Sequence, residues 1–308
     1  MLVHQSNRLE ILLADLLAVL EQPPADPLRP ECIVVPNQGM AQWLACQTAL
    51  ATGIAANLDF PLPGRFVWEL LQRLSGRPAE EDLFARPVLC WRLVSLLPEH
   101  LDHPLFAELA AYLADDTDGR KLLQLAERIS EVFDQYLVFR PDLLRQWQRQ
   151  GSDEHWQALL WRRLAAAGPP LRALLGERSR QLLESADHPV DLPERVLLFG
   201  LNALPPVYLE IVAQLSRRIE VHLFHLSPCR HYWPDLRSAR QLAAARRSSG
   251  AKPDDDLYDS GNPLLLSLGR AGRDFLRQLV DLDPEDVDGY AEGARPDLLT
   301  TLQTDILD

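Results

Sequence analysis

The sequence has few cysteines, and none of them stand close together. Cysteines so widely separated are untypical of a disulfide framework or of a zinc site. We interpret them as buried thiols in a reducing compartment. The four are Cys32, Cys46, Cys90 and Cys229.

The sequence also lacks a targeting signal, a membrane span and an excess of positive charge. The N-terminal MLVHQSNRLE has no basic segment followed by an apolar one, and no uncharged run reaches about 18 residues. We therefore expect a cytoplasmic protein without a membrane partner.

The net charge is -13, from 31 basic and 44 acidic residues, which argues against a freestanding nonspecific DNA-binding protein. It leaves room for a local basic track, or for a subunit whose partners make most of the phosphate contacts.

Strand-like runs of valine and isoleucine are short, whereas leucine-rich amphipathic segments dominate a chain that is 47% hydrophobic. This pattern predicts a helix-rich α/β protein. The predicted strands cover residues 2–5, 32–36, 54–60, 195–200 and 219–226, and the helices that accompany them cover 9–20, 40–51, 205–215, 236–248, 263–282 and 296–307. A polar linker is predicted at 248–262.

A long block without strands interrupts this βα pattern. Its predicted helices cover residues 66–75, 87–97, 104–114, 119–139, 141–149, 153–167 and 171–186. Such a block within a βα framework is best interpreted as an inserted helical subdomain. We predict an α/β domain from residues 1–64 and 188–308, with the all-helical subdomain at 65–187.

The βα junctions lack the residues that bind a nucleoside triphosphate. Such a site needs glycines to wrap the phosphates, a lysine to contact them and a hydroxyl to hold magnesium. LVHQSNRLE has no glycine or lysine, and VVPNQGMAQW has one glycine, no lysine and no hydroxyl. LLFGLNALPP has no acid before Glu210 to hold a metal. We expect no ATP hydrolysis, no cofactor and no catalytic residues in this chain.

Two clusters of potential metal ligands are not interpreted as metal sites. His222 and His225 stand three positions apart on a predicted strand, so their side chains point to opposite faces and cannot share a zinc ion with Cys229. The acidic run at 281–289 has Asp286 where a calcium loop needs glycine. We predict no metal there and interpret this run as a solvated linker.

Several long segments resemble one family. They are HQSNRLEIL, VVPNQGMAQWL, GIAANLDFPLP, FDQYLVFRPDLL, LFGLNALPPVYL, SPCRHYWPDL, GNPLLLSLGRAGRDF and TLQTDIL, and they occur in order from residue 4 to residue 307. They closely resemble the RecC family, the gamma subunit of exodeoxyribonuclease V, the RecBCD helicase-nuclease. Members of the family are much longer, so the resemblance implies an N-terminal fragment.

The resemblance implies a P-loop-NTPase-like parallel-sheet domain, similar to a superfamily 1 helicase motor domain that has lost its ATPase motifs. It also implies RecB-like and RecD-like partner subunits, and a groove for the 3′-ended single strand, which is scanned for the Chi recombination hotspot. Carried over by motif, the DNA-contacting positions are Gln38, Gln42, Leu62, Trp68, Val132, Asp134, Gln135, Arg140 and Arg172. Glutamine and aspartate can contact base edges, arginine can pair with guanine or phosphate, and tryptophan can stack on a base.

This sequence departs from the family pattern at three positions. Pro36 and Gln38 stand where glutamine and threonine are expected, and Val132 stands in place of leucine. The resemblance therefore leaves undetermined which DNA sequence this protein recognises.

Simpler interpretations exist for several of these residues. Without the resemblance, Asp134 and Gln135 would be assigned to a solvated helix face, and Trp68, which follows Phe66 and Val67, to the core. At the level of function, the alternatives are an interaction scaffold without DNA contact, which the acidic charge favours, and an active nucleotide hydrolase.

Overall fold

The computed structural model describes most of the chain. It covers residues 1–75, 83–149, 155–166, 168, 175–185, 192–236, 262–292 and 297–307. The predicted helix at 236–248 and the predicted linker at 248–262 fall almost wholly outside the described residues, and Arg172 also lies outside them.

The described residues form one sheet of six strands. The strands are β1 (Leu2–Ser6), β2 (Glu31–Val34), β3 (Leu58–Asp59), β4 (Arg195–Phe199), β5 (Glu220–Leu226) and β6 (Glu285–Asp288). Their order is β3-β2-β4-β5-β1-β6, and every pairing is parallel. The α/β prediction is confirmed. Strands from both sides of the helical block lie side by side, since β1 pairs with β5 and β2 pairs with β4.

The two middle strands, β4 and β5, carry the strongest sequence signal. All five side chains of β4 are buried, as are residues 221–225 of β5. A parallel strand covered on both faces needs apolar side chains on both faces, so its sequence is a continuous apolar run. The run VLLF in β4 meets this condition, which is why its position was predictable.

The helices pack against the sheet or form a bundle of their own. Those near the sheet strands in sequence are α1 (Leu9–Leu20), α2 (Gln38–Thr52), α3 (Pro63–Ser75), α10 (Pro206–Leu215), α11 (Pro263–Leu268), α12 (Arg270–Val280) and α13 (Leu298–Leu307). Between them in the chain lie α4 (Arg86–Leu96), α5 (Ala107–Leu113), α6 (Arg120–Phe139), α7 (Pro141–Arg149), α8 (Trp156–Ala166) and α9 (Leu175–Ser185).

Two predicted elements are shorter than expected. The strand predicted at 54–60 is only Leu58–Asp59, because Gly53 and Asn57 both adopt positive φ, +85° and +58°, which interrupts an extended chain. The helix predicted at 263–282 is broken at Gly269. A Cβ there would lie 2.4 Å from the carbonyl oxygen of Leu265 and 3.1 Å from the Trp233 ring, so the close approach requires glycine.

The interpretation of residues 281–289 as a solvated linker was wrong. Residues 285–288 form β6, which pairs with β1 from Leu2 opposite Glu285 to Gln5 opposite Asp288. All four β6 side chains are exposed. The strand is held at the sheet edge by backbone pairing, so it has no apolar alternation from which it could be predicted.

The chain divides into two compact units. The sheet unit comprises residues 1–70, 191–204 and 212–308, and the helical unit comprises residues 71–190 and 205–211. Assigning these parts to a helicase-like domain and an inserted subdomain remains a prediction.

The helical unit has its own core of buried side chains from α4, α6, α7 and α8. Trp161 is fully buried at its centre, with its ring 5.1 Å from Phe84 and 5.6 Å from Phe133. Arg92 lies over the Phe84 ring at 5.1 Å and donates to the carbonyl oxygens of Leu83 and Leu164 at 2.9 and 2.6 Å. Because α6 is anchored in this core, the side chains on its outer face have defined positions.

Candidate nucleic-acid interface

The loops that follow the strands lie along one edge of the sheet, because parallel strands end at the same edge. In open α/β sheets this carboxyl edge is where ligands bind. Three loops are relevant here: residues 6–8 after β1, 35–38 after β2 and 200–202 after β4. These are the three places where the sequence lacks the residues of a triphosphate site.

The loop after β1 is hydrogen-bonded to the segment that follows β6. Ser6 Oγ donates to the carbonyl oxygen of Gly289 at 2.9 Å and accepts from the Arg8 N–H at 3.0 Å. The Asn7 side chain forms a pair of hydrogen bonds with Ala291: Nδ2 donates to its carbonyl oxygen at 2.8 Å, and Oδ1 accepts from its N–H at 3.0 Å. Polar groups that could have bound a phosphate are thus bonded to the chain's own backbone.

The N-terminus of α1 offers little to an anion. Arg8 directs its guanidinium away to the carbonyl oxygen of Glu292, which accepts from Nη2 at 2.7 Å. Glu10 places a carboxylate in the first turn of the helix, where it interacts favourably with the helix dipole and repels a phosphate. The adjoining pocket of about 460 Å³ is lined by residues 7–10, Ala291 and residues of α13. Among these, Asn7 and Arg8 are the side chains already bonded to the backbone of Ala291 and Glu292.

The loop after β2 leads into α2 through an N-cap. Asn37 Oδ1 accepts from the Met40 N–H at 2.9 Å, and this is why α2 begins at Gln38 and not, as predicted, at Met40. Gln38 and Gln42 are both exposed. They stand four positions apart, so their side chains lie on one face of the first helical turns. The Val35 N–H donates to the Pro61 carbonyl oxygen at 3.1 Å, which brings the chain before Leu62 beside this loop.

The loop after β4 has no metal ligand. Phe199 ends the strand fully buried, and Gly200 follows with φ of +67°. A Cβ on Gly200 would lie 3.2 Å from Met40 Cε, so α2 packs tightly against this loop. An apolar side chain and a glycine therefore occupy the place where a magnesium carboxylate would stand.

The predicted DNA-contacting residues fall into two groups, one in each unit. In the sheet unit, Gln38, Gln42 and Leu62 are exposed, and Trp68 on α3 is half-buried beside the buried Phe66 and Val67. Trp68 therefore combines core packing with a partly accessible ring. In the helical unit, Gln135 and Arg140 are exposed, whereas Val132 and Asp134 are half-buried.

Arg140 lies where α6 turns into α7. Its backbone N–H donates to the Tyr136 carbonyl oxygen at 2.9 Å, and its own carbonyl oxygen accepts from the Leu143 N–H at 3.1 Å. Within the described residues no acidic side chain pairs with its guanidinium.

The preceding residue, Phe139, has a side chain that is 64% exposed. The sequence analysis did not single out Phe139; its spacing of four from Gln135 was the available signal.

A buried histidine pair in the sheet also escaped the sequence analysis. His4 Nε2 lies 3.1 Å from His222 Nδ1, which joins β1 to β5. His222 Nε2 lies 2.8 Å from Glu220 Oε1, and His4 Nδ1 lies 3.6 Å from Asp15 Oδ2. Burial, and next the neighbouring His222, lower the pKa of His4. His225 packs elsewhere, with its ring 5.4 Å from Phe275.

The described residues contain no group of three histidine, cysteine or acidic side chains arranged to hold a metal ion. In the same ranges, no helix combines the length and the apolar character needed to cross a bilayer. The prediction of buried thiols is confirmed for Cys90 and Cys229 but was wrong for Cys46, which is exposed on α2, and for Cys32, which is half-buried.

Comparison with known proteins matches the whole chain to one family. The family described as RecC, N-terminal domain, matches residues 1–308. The chain is 39% identical to the RecBCD enzyme subunit RecC of Escherichia coli (strain K12), with 99% of this chain and 30% of that protein covered.

Two further relatives have the same printed name. The RecBCD enzyme subunit RecC of Haemophilus influenzae is 33% identical, with 99% of this chain and 33% of that protein covered. The protein of this name from Mycolicibacterium smegmatis is 31% identical, with 99% of this chain and 28% of that protein covered. The chain thus spans about a third of the length of these relatives, and it belongs to the RecC family, in which it corresponds to the N-terminal domain.

Proposed function

We propose that this chain is part of a non-catalytic subunit of an exodeoxyribonuclease V complex, which acts in recombinational repair of double-strand breaks. It guides the 3′-ended single strand and recognises the Chi hotspot. The observation that carries the proposal is the hydrogen bonding of the β1–α1 loop to residues 289–292. This loop has the position of a phosphate loop on a parallel sheet, but its polar side chains bind the chain's own backbone. The same sheet edge presents exposed glutamines on α2.

The proposal treats the sheet unit as a degenerate motor domain of the P-loop-NTPase type, and the helical block at 65–187 as its inserted subdomain. A motor needs glycines and a lysine in its phosphate loop, and a metal-holding acid after a later strand. Here the loop after β1 has neither glycine nor lysine, and Phe199 and Gly200 stand in the place of the acid. RecB-like and RecD-like partners supply ATP hydrolysis and DNA cleavage.

Base recognition would rest on the exposed polar side chains. Glutamine amides can pair with the edge of adenine, and arginine with that of guanine. With a net charge of -13, the chain depends on its partners for most phosphate contacts.

The test uses Gln42→Ala and Asp134→Ala in the assembled complex, assayed for hotspot-dependent change in DNA degradation. Each lost base contact should weaken hotspot discrimination about tenfold, while degradation of hotspot-free DNA stays unchanged. Gln124→Ala is the matched control, because Gln124 is an exposed glutamine on α6 that no predicted contact involves. A wild-type hotspot response from both test variants would contradict the assignment of these residues.

An interaction scaffold without DNA contact is the second candidate. Leu268 on α11 and Leu298 on α13 are 81% and 77% exposed, which suits a surface covered by other protein. Fluorescence anisotropy of a labelled single-stranded oligonucleotide separates the two candidates. Binding at micromolar protein that weakens with salt supports the DNA-guiding role, and a flat response supports the scaffold.

A further inference from the structure

We propose that Phe139 is a stacking platform for one base of the single strand, set between a base-contacting Gln135 and a phosphate-contacting Arg140. This inference rests on the proposed function, because it adds a residue to the DNA-contacting positions of the helical unit. The residue that sequence reasoning chose for stacking was Trp68, whose ring is half-buried.

The Phe139 ring is accessible to a ligand. The Phe139 side chain is 64% exposed, and its ring contacts no other aromatic ring among the described residues. A base stacks on an open aromatic face whatever its identity, because every base has a π-face. In the described part of the chain, one other large aromatic side chain is as exposed as Phe139: Trp91 on α4, at 65%.

Phe139 shares one face of α6 with other partly or fully exposed side chains. Positions 132, 135 and 139 follow the three- and four-residue spacing of one helix face, so the side chains of Val132, Gln135 and Phe139 form one strip. Arg140, which is exposed, follows Phe139 directly at the end of the helix. A stacked base would thus lie in a defined plane with Gln135 one turn away, and the guanidinium of Arg140 would meet its phosphate.

Phe139 lies beside a rigid turn between two helices. Pro141 begins α7 directly after Arg140, so the helix turns a fixed corner. Buried Leu137 and Leu144 anchor the two sides of the corner in the core of the helical unit. A platform on a fixed corner loses little conformational freedom when it binds.

Three substitutions in the assembled complex test the inference. Phe139→Leu retains an apolar side chain and removes the π-face, Phe139→Trp retains stacking, and Trp91→Leu removes an equally exposed aromatic ring elsewhere in the same unit. The measurement is the equilibrium affinity for a single-stranded oligonucleotide. We expect Phe139→Leu to weaken binding about tenfold, with Phe139→Trp and Trp91→Leu near wild type. The new tryptophan fluorescence of Phe139→Trp should be quenched by the oligonucleotide.

Other results would overturn the inference in distinguishable ways. If Phe139→Leu binds like wild type while Gln135→Ala binds more weakly, the platform is refuted and the proposed function stands. Equal losses from Phe139→Leu and Trp91→Leu would indicate a general loss of apolar surface, which also refutes it. So would equal losses from Phe139→Leu and Phe139→Trp without quenching. If wild type binds no single strand and lacks a hotspot response, the proposed function fails together with the platform.

Discussion

The β1–α1 loop and the outer face of α6 both carry polar side chains, but these side chains have different partners. Ser6, Asn7 and Arg8 are bonded to backbone groups of residues 289–292. Gln135 and Arg140 are exposed on a helix whose opposite face is buried. Polar groups in the loop maintain the fold, whereas those on α6 are accessible to a ligand. The comparison predicts large stability effects from the first region and functional effects without stability loss from the second.

The largest expected effect comes from acid pH acting on the interior of the sheet unit. Burial lowers the pKa of His225 from its usual 6.5 to about 4, so the unfolded chain binds a proton more readily than the folded one. The stabilising contribution is complete above pH 6.5 and is lost as pH falls towards 4, by about 3 kcal/mol in all. His4, whose pKa burial also lowers, adds in the same direction.

Urea unfolding at pH 7.5, 5.5 and 4.0 measures this loss. His225→Leu should remove His225's part of the pH dependence, so wild type and variant should differ in slope. Parallel pH profiles would show that His225 is protonated equally in both states.

The next effect concerns the closed loop itself. Asn7→Leu removes both hydrogen bonds to Ala291 and leaves its N–H and carbonyl groups without those partners. We expect a loss of about 2 kcal/mol in the free energy of unfolding. Gln135→Leu serves as the control, and its stability should match wild type. If both variants match wild type, the contrast between the two regions is absent.

A smaller effect is expected at Gly200, which occupies the place of the metal-holding acid. Gly200→Ala puts a Cβ on a residue with φ of +67°, 3.2 Å from Met40 Cε. The expected loss is about 1 to 2 kcal/mol, measured by thermal or urea unfolding. Ala165→Gly, in α8, is the reverse substitution and serves as a comparison. It should also lower stability, since glycine in place of alanine costs a helix about 1 kcal/mol. An unchanged or higher stability for Gly200→Ala would mean that the loop relaxes freely.

The smallest stability effect should come from the exposed side chains. Gln42→Ala and Gln135→Ala should change the free energy of unfolding by less than about 0.5 kcal/mol. Their effect should appear only in DNA binding or hotspot response. A large loss of stability in either variant would place that glutamine among the fold-maintaining groups.

Local patterns in the sequence predicted much of the fold. Helix α1 has the predicted bounds, because its leucines recur at helical spacing between Arg8 and the prolines at 23 and 24. The break at Gly269 was missed, because glycine within a helical pattern is often tolerated, and the close contacts with the Leu265 carbonyl oxygen and the Trp233 ring form only in the folded chain.

The candidate site was predictable only in part. The exposed positions of Gln38 and Gln42 follow from the helix that Asn37 caps. Whether an individual aromatic side chain is buried could not be predicted from the sequence: Trp68 is half-buried, whereas Phe139 is exposed. Both stand in apolar sequence, and their exposure depends on which elements pack around them.

The sequence by itself determined the helix-rich α/β class, the inner strands and the absence of a triphosphate-binding motif, because each of these depends on residues near one another in the chain. Only the tertiary structure decided that an acidic segment becomes the edge strand β6, and that Asn7 bonds to Ala291 across 284 positions. Contacts at that separation depend on where the sheet brings two backbones together. Hydrophobic periodicity gives no information on them, because neither the backbone pairing of β6 nor the hydrogen bonds of the Asn7 side chain produce an apolar pattern.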